Sequence, residues 1–377
     1  MVHEVERARH RTMFLEAAGA IYRYPTDRFH GRGIVTCAGG VKYNVQAWVL
    51  LRLLRHLGCS LPIEVWYLGQ DEFDERFAEL VRPLEVNFVD ARALSIKYPA
   101  RILNGWELKC YSVIHCDFQE VLFLDADNAP VIDVSEVFEW PGYQERGAMF
   151  WPDRGRHRQE APVWQATGLP FADEPEFESG QLIVNKRRCW KALNVAMHLN
   201  EYSDYWYRVW HGDKETFHFA WKACGQPYAM GPHPVIDRDG CLFQRDESGR
   251  VVFQHRNGRK WSLSDGNRPI ADFAFEAECF GFLAELREQW LRIKAPHVQR
   301  RYRYVRCGLD SRVMEFLENG TIGQGNARLE RRWRLKEDHL VIEGDEGVIC
   351  TLRPDENGCW HGRWTRHERM GVVLVPA

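Results

Sequence analysis

Glu120-Val-Leu-Phe-Leu-Asp-Ala-Asp-Asn128 decides how this chain is read. The four apolar residues Val121 to Leu124 predict a strand buried on both faces, and two carboxylates, Asp125 and Asp127, follow it at once. In open α/β sheets, ligands bind at the carboxyl ends of the strands, so these acids are delivered to the place where chemistry is expected. Two carboxylates about 4 Å apart repel by about 4 kcal/mol at an effective dielectric of about 20, and therefore need a cation, a shared proton or open solvent. A hard divalent ion shared with a diphosphate meets that need.

Working outward, residues 33 to about 260 alternate short apolar strands with amphipathic helices, the pattern of a mainly parallel sheet covered on both faces. Gly33 to Ala38 is expected to be the first strand, and the helix from about Asn44 to Leu57 turns Val45, Trp48, Val49, Leu51, Leu53 and Leu54 toward the sheet. Strands are predicted at Glu64–Leu68 and Leu84–Asp90, with an acidic helix at Asp71–Val81 between them. A helix at Gly105–His115 leads into the aspartate strand, and Ala148–Trp151 is a further strand. The stretch Asp153–Glu178, rich in Pro, Gly and charge, is expected to be a long functional or disordered loop. Strand character resumes at Gln181–Asn185, helices are predicted at Lys186–Leu199 and Lys214–Ala223, and Leu242–Gln244 with Val251–Gln254 forms a hairpin.

Beyond about residue 300 the texture changes to alternating strands cut by Asn319-Gly320, Glu337-Asp338, Asp345-Glu346-Gly347 and Asn357-Gly358, which predicts a small antiparallel sandwich or barrel of four to six strands. The expected division is a helical extension over 1–32, a catalytic domain over 33–298 and a small β-rich accessory domain over 299–377.

The bulk numbers bound the function. The 377 residues, 45% of them hydrophobic, suffice for a substantial core. No run approaches the roughly 18 to 20 apolar residues of a membrane span, and the opening Val2 to Ala20 reads as a peripheral helix rather than a signal. Eleven scattered cysteines without a C-x-x-C pair spell neither a zinc knuckle nor a disulfide scaffold, so the cytoplasm is the expected location. The net charge is −3, but residues 291–377 carry 16 Lys/Arg against 12 Asp/Glu. Within that tail Arg328, Arg332, Arg334 and Lys336 fall on one strand face and Leu329, Trp333 and Leu335 on the other; the basic stripe is either a guide for an anionic acceptor or a solvated outer face. Nucleic acid is not an expected partner.

Four clusters stand in order after the first strand: Asp125-Ala-Asp127, Glu178-Ser-Gly-Gln181, Gly212-Asp-Lys-Glu215 and His255-Arg-Asn-Gly-Arg-Lys-Trp261. This order resembles the GT-A glycosyltransferase fold, which implies an α/β domain whose Asp-x-Asp holds Mn2+ or Mg2+ on the diphosphate of a nucleotide sugar. The last cluster is similar to the His-x-x-Gly-x-x-Lys-Pro-Trp element of glycogenin-like retaining enzymes, with a glycine-to-lysine gap one residue shorter and no proline before Trp261. The likeness implies that His255 completes a metal set with Asp125 and Asp127, and that Gly258 and Lys260 meet phosphate.

A longer resemblance runs through Leu54-Arg-His-Leu-Gly-Cys-Ser-Leu-Pro-Ile-Glu-Val-Trp-Tyr67, Trp106-Glu-Leu-Lys109, Phe150-Trp-Pro-Asp153 and Gly212-Asp-Lys-Glu-Thr-Phe217. It is similar to the family of α-mannosyltransferases with which fungi build cell-wall mannan branches. The resemblance implies retaining transfer of mannose from GDP-mannose to a glycan or lipid-linked acceptor, with Lys109 and Ala126 beside the donor. A UDP-hexose donor and a non-catalytic sugar-nucleotide or glycan-binding protein are the rival readings.

Sugar departure leaves negative charge on phosphate and positive charge at the anomeric carbon. Asp213 and Glu178, with Gln181 as a neutral third, are the candidates to face that carbon, and Asp213 is favoured because a helix anchors it. Each residue has a plainer alternative: Asp213 as an N-cap, Glu178 as a loop end, His255 as a strand-end histidine satisfied by backbone. Thr36 and Ala38 end the first strand where a nucleoside binds, and Tyr43 stacks on the base or packs. Trp151 and Asp153 line the sugar pocket, or Trp151 fills the core.

Overall fold

The computed structural model describes residues 2–263, 267–292 and, apart from 318, 328, 337–338, 346 and 366, residues 298–377. Arg328 of the basic stripe, the Glu337-Asp338 turn and Glu346 therefore lie outside the described residues. The chain divides into two units, Met1–Trp290 and Leu291–Ala377.

In chain order the strands of the first unit are β1 (Arg32–Cys37), β2 (Ile63–Tyr67), β3 (Val86–Asp90), β4 (Glu120–Leu124), β5 (Asn128–Pro130), β6 (Ala148–Arg156), β7 (Pro175–Asn185), β8 (Ala229–Met230), β9 (Ile236–Arg238), β10 (Cys241–Arg245) and β11 (Val251–His255). The longer helices that matter below are α1 (Val2–Gly19), α2 (Gly40–His56), α3 (Glu107–His115), α4 (Lys186–Glu201) and α5 (Lys214–Cys224). Seven strands form the central sheet in the order β3-β2-β1-β4-β7-β6-β8. Pairings among β1 to β4 are parallel, as is β6 with β8, whereas β7 runs antiparallel to both neighbours. This is the mainly parallel, helix-flanked sheet expected from the sequence.

Strand β4 shows why. Its β-branched and large apolar residues alternate between two cores: Leu122 and Leu124 join α2 through Trp48, Leu51 and Leu54, while Val121 and Phe123 meet residues of α3 and α4 such as Val113, Leu193 and Ala196. All four side chains are fully buried, each contributing about 1.5–3 kcal/mol of transfer free energy. Helix α1 joins the second core through Phe14, which meets Trp206 edge-on. Among the described residues, no helix is long and apolar enough to cross a membrane.

The expected long loop at Asp153–Glu178 is largely structured. Strand β6 continues to Arg156, a short helix spans Pro162–Thr167, and β7 begins at Pro175. Of the charged residues that looked like loop sequence, Arg154 and Arg156 alternate outward along the exposed end of β6, and Arg156 pairs with Asp173, just before β7.

A second sheet, β5-β11-β10-β9, sets the site. Strand β5 begins directly after Asp127 and pairs antiparallel with β11, so that Asn128 lies opposite His255. Arg256 N–H donates to the Asp127 carbonyl at 3.0 Å. On the other flank β7 pairs with β4, placing Gln181 opposite Leu124, and Asp125 N–H donates to the Gly180 carbonyl at 2.8 Å. Strand register alone thus draws three sequence-distant clusters to one point.

The second unit holds β12 (Val298–Arg306), β13 (Asp310–Leu317), β14 (Arg332–Lys336), β15 (His339–Gly344), β16 (Gly347–Pro354), β17 (Trp360–Trp364) and β18 (His367–Pro376). They form one antiparallel sheet ordered β13-β12-β18-β17-β16-β15-β14 around Tyr304, Met314, Phe316, Ile342, Leu352, Val372 and Leu374. Isolated bridges Phe316↔Ile322 and Thr321↔Arg332 link its two end strands through the Thr321-Ile322 segment, curling the sheet toward a barrel. Seven strands replace the expected four to six: the turn at Cys307-Gly308-Leu309 between β12 and β13 was not among the cuts read from sequence, nor was the two-residue connection between β17 and β18, which has no Gly, Asn or Pro. In β14, Arg332, Arg334 and Lys336 are exposed as predicted, and Arg334 pairs with Glu343; Leu335, expected inside, is 51% exposed.

Candidate active site

Asp125, Asp127 and His255 converge. One ligand atom from each lies within 4.8 Å of the others. His255 Nε2 is 3.1 Å from Asp127 Oδ1 and 3.8 Å from Asp125 Oδ2. The other ring nitrogen, Nδ1, is 3.0 Å from Glu178 Oε1. Glu178 also accepts from Gly180 N–H at 2.9 Å and from the Gln181 amide at 2.5 Å, while Gln181 Oε1 accepts from Asn128 at 2.7 Å. Both oxygens of Glu178 and both ends of the Gln181 amide are thus committed behind the imidazole. Glu178 holds the His255 ring directly and Gln181 holds Glu178, an arrangement familiar where a carboxylate fixes the tautomer of a metal-binding histidine.

Gly180 makes this packing possible. A Cβ there would fall 2.3 Å from His255 Nδ1 and 2.8 Å from Glu178 Oε1, so no other residue fits without moving the ring.

Lys109, buried on α3, gathers the other half of the site. Its ammonium lies 3.1 Å from Asp125 Oδ1 and 3.1 Å from Asp213 Oδ2, and it donates to the Ser179 carbonyl at 2.9 Å and to Ser179 Oγ at 3.0 Å. Ser179 Oγ donates in turn to Asp213 at 3.1 Å. The capping alternative for Asp213 is not realised: it precedes α5, but its carboxylate makes no cap hydrogen bond and turns to Lys109 and Ser179 instead. Ser179 is the residue that sequence reasoning missed; its place inside Glu178-Ser-Gly-Gln181 was the available signal.

The electrostatics follow from burial and pairing. Burial raises the Asp125 carboxyl, and the nearby Lys109 and His255 charges offset only part of that rise. Burial also works against ionised Asp127, but His255 and Lys260, which pairs with it, outweigh burial and hold it well below the usual carboxylate range. For His255 burial opposes the proton, yet Asp127 and Glu178 raise the imidazole well above its ordinary value. Lys109 is likewise held charged, against burial, by Asp125, Asp213 and Glu178. Four carboxylates face two ammonium groups, leaving two negative charges when His255 is neutral. Two hard carboxylates and an imidazole, with that residual charge, fit one divalent cation of the Mn2+ or Mg2+ class.

The remaining predicted residues divide. Ala126 is buried between the aspartates. Thr36 is fully buried with an unpartnered hydroxyl at the end of β1, and Ala38 N–H donates to the Trp66 carbonyl at 2.9 Å. Tyr43 is 43% exposed on the first turn of α2. Gly258 packs on Gly240, whose carbonyl it meets at 2.9 Å; a Cβ at Gly258 would lie 3.2 Å from the Gly240 Cα and oxygen. Trp151 is fully buried between Trp140 and Phe253, so it fills the core and does not line a sugar pocket. Asp153 pairs with Lys214 at 2.7 Å, and Glu176 meets the same ammonium at 2.6 Å.

The family described as "Mannosyltransferase putative" matches residues 31–167 and 171–237, and the chain belongs to it. It is 25% identical over 275 residues to alpha-1,2-mannosyltransferase MNN2 of Saccharomyces cerevisiae, covering 60% of this chain and 45% of that one. It is 27% identical over 289 residues to alpha-1,2-mannosyltransferase MNN5 of the same yeast, covering 59% and 48%. The chain spans just under half the length of these curated relatives. Among solved structures, an active-site mutant of LgtC is similar at a TM-score of 0.46 and 16% identity, over 68% of this chain and 99% of that one.

Proposed function

From this family membership and the geometry of the strand tip, we propose that the chain is a divalent-metal-dependent, retaining α-mannosyltransferase that moves mannose from GDP-mannose to a hydroxyl of a glycan or lipid-linked acceptor. The observation that carries the proposal is the convergence of Asp125, Asp127 and His255 with Asp213 tied in through Lys109. The relatives' names supply mannose as the sugar and the α-configured product.

Asp125, Asp127 and His255 would hold the ion, which when bound neutralises charge on the departing diphosphate. The chain's own groups do the rest. Lys260, free of Asp127 once a phosphate competes for it, places a second positive charge against the leaving group. Such a contact is often worth about 3 to 4 kcal/mol. Asp213 presents a carboxylate for the positive charge that develops at the anomeric carbon. Ser179 and Lys109 fix its orientation. Glu178 keeps the His255 ring turned so that Nε2 faces the aspartates. Thr36 and Tyr43, at the end of β1 and the start of α2, form the nucleoside side of the same face. The glycogenin-like element enters as His255 for the ion and Lys260 for phosphate, while Gly258 shapes the turn.

Donor hydrolysis measured across GDP-mannose, GDP-glucose and a panel of UDP-hexoses, with and without Mn2+, tests the reading. Metal-dependent turnover of GDP-mannose above the others is expected. A preference for a UDP-hexose removes the donor assignment, and nucleotide binding without any turnover returns the chain to a binding protein.

A further inference from the structure

A second cluster of ligating side chains lies in the first unit, separate from the strand-tip acids. His157 follows the end of β6, and Glu215 and His218 stand one turn apart on α5 and face the same side. His157 Nε2 is 2.9 Å from His218 Nδ1 and 3.4 Å from Glu215 Oε2, and His218 Nδ1 is 3.7 Å from the same oxygen. A tetrahedral ion about 2.05 Å from each donor sets those donors about 3.3 Å apart, the middle of this range.

The surroundings point the same way. Glu215 is 4% exposed, and neither of its carboxylate oxygens has a hydrogen-bond partner, although both are buried beside the two imidazoles. A buried carboxylate without a donor is costly unless a cation or proton meets it. Glu174 accepts from His218 Nε2 at 2.7 Å and is itself held by Lys222 at 2.5 Å. That contact places the His218 proton on Nε2 and turns the Nδ1 lone pair toward His157 and Glu215, the outer-shell arrangement of a metal-bound histidine. The walls are aromatic: Phe177 stacks on His218 at 4.1 Å, and Trp164 and Phe219 meet His157 edge-on at 5.5 and 5.4 Å. A dry, closed set of two imidazoles and one carboxylate suits a structural ion better than a hydrated catalytic one.

We propose that His157, His218 and Glu215 form a structural binding site for Zn2+ or a cation of similar preference, which pins the segment after β6 to helix α5. Glu215 supplies one or both oxygens, and any proton it carries leaves on binding. Because Asp213 precedes that helix, the ion also steadies the carboxylate assigned above to the sugar face. The site does not depend on that assignment.

The test uses the full chain carrying Asp125→Asn and Asp127→Asn, which silences the strand-tip acids. After loading with Zn2+ and exhaustive buffer exchange, elemental analysis is expected to find about one equivalent of zinc per chain, falling to about a tenth or less in His157→Gln and Glu215→Gln. Co2+ in place of Zn2+ should give the visible absorption of a tetrahedral site in the background variant and none in Glu215→Gln. Zn2+ should also raise the melting temperature of the background chain but not that of Glu215→Gln, whose near-identical shape guards against simple misfolding. Retention of less than about a tenth of an equivalent without a Co2+ spectrum, or equal zinc in background and Glu215→Gln, overturns the proposal.

Discussion

Gly180→Ala is the sharpest probe of the site, because one methyl group tests the whole convergence. The new Cβ would sit 2.3 Å from His255 Nδ1 and 2.6 Å from Cε1, against an ordinary contact of about 3.5 Å. The obstacle is a ring held at both nitrogens, by Asp127 on one side and Glu178 on the other, and Gly180 sits in a strand paired to β4. The ring or the strand must therefore give by about 1 Å. Overpacking of this kind costs about 1–3 kcal/mol of stability, and a 1 Å misplacement near reacting groups costs about 10²-fold in rate. We expect Gly180→Ala to remain folded, to bind Mn2+ more weakly and to lose about two orders of magnitude in kcat/KM for GDP-mannose. Steady-state kinetics across a metal titration, paired with thermal melting, read all three. Activity within threefold of wild type at unchanged metal affinity would show that the position of His255 is immaterial, and with it the proposed ligand set fails.

Asp127→Asn is expected to lower kcat/KM by about 10²-fold or more while the chain still unfolds in a single cooperative step; turnover within about tenfold of wild type would count against the metal role. Lys109→Met leaves Asp125 and Asp213 facing each other without their shared cation, and urea unfolding should show a loss of about 3–5 kcal/mol; a change below 1 kcal/mol would mean that solvent screens the pair. His115 is kept neutral by burial, then by Arg28 and Lys186, with its pKa brought down to about 3. The unfolded chain binds that proton at about pH 6.5 and the folded chain does not, so folding stability falls as pH drops from about 6.5 toward 3, by at most about 1.4 kcal/mol per pH unit. His115→Gln should flatten the stability profile between pH 6.5 and 5 by about one proton, and parallel profiles would refute the assignment.

The backbone plan was legible because β4 carries its own evidence: four consecutive large apolar residues need two cores, and only a covered sheet supplies two. The two acids were legible for a related reason, since Asp125 and Asp127 follow the end of that strand, whereas His255 was singled out only through the likeness of the stretch from His255 to Trp261 to the glycogenin-like element. What stayed hidden depends on pairing across distance. That Gln181 stands behind His255 follows from the β4–β7 register, and that Glu178, three residues earlier, lies on the same side follows from an irregularity in the β6–β7 pairing, which no sequence pattern announces. Trp151 could line a sugar pocket or fill the core as far as sequence could tell, and the choice falls to packing from Trp140 and Phe253, which enclose it completely. His157 and His218 are 61 positions apart with no motif between them, so only the fold could bring them together.

Lys109 has one more implication. A single ammonium already sits between Asp125 and Asp213, so the resting protein carries an internal counterion and need not wait for cargo to relieve its own repulsion. Anyone transplanting the Asp-x-Asp tip into another scaffold should move this lysine along with it. Without such a tenant, the borrowed acids would pick up protons or push the sheet apart, and the graft would fail before it ever met a sugar nucleotide.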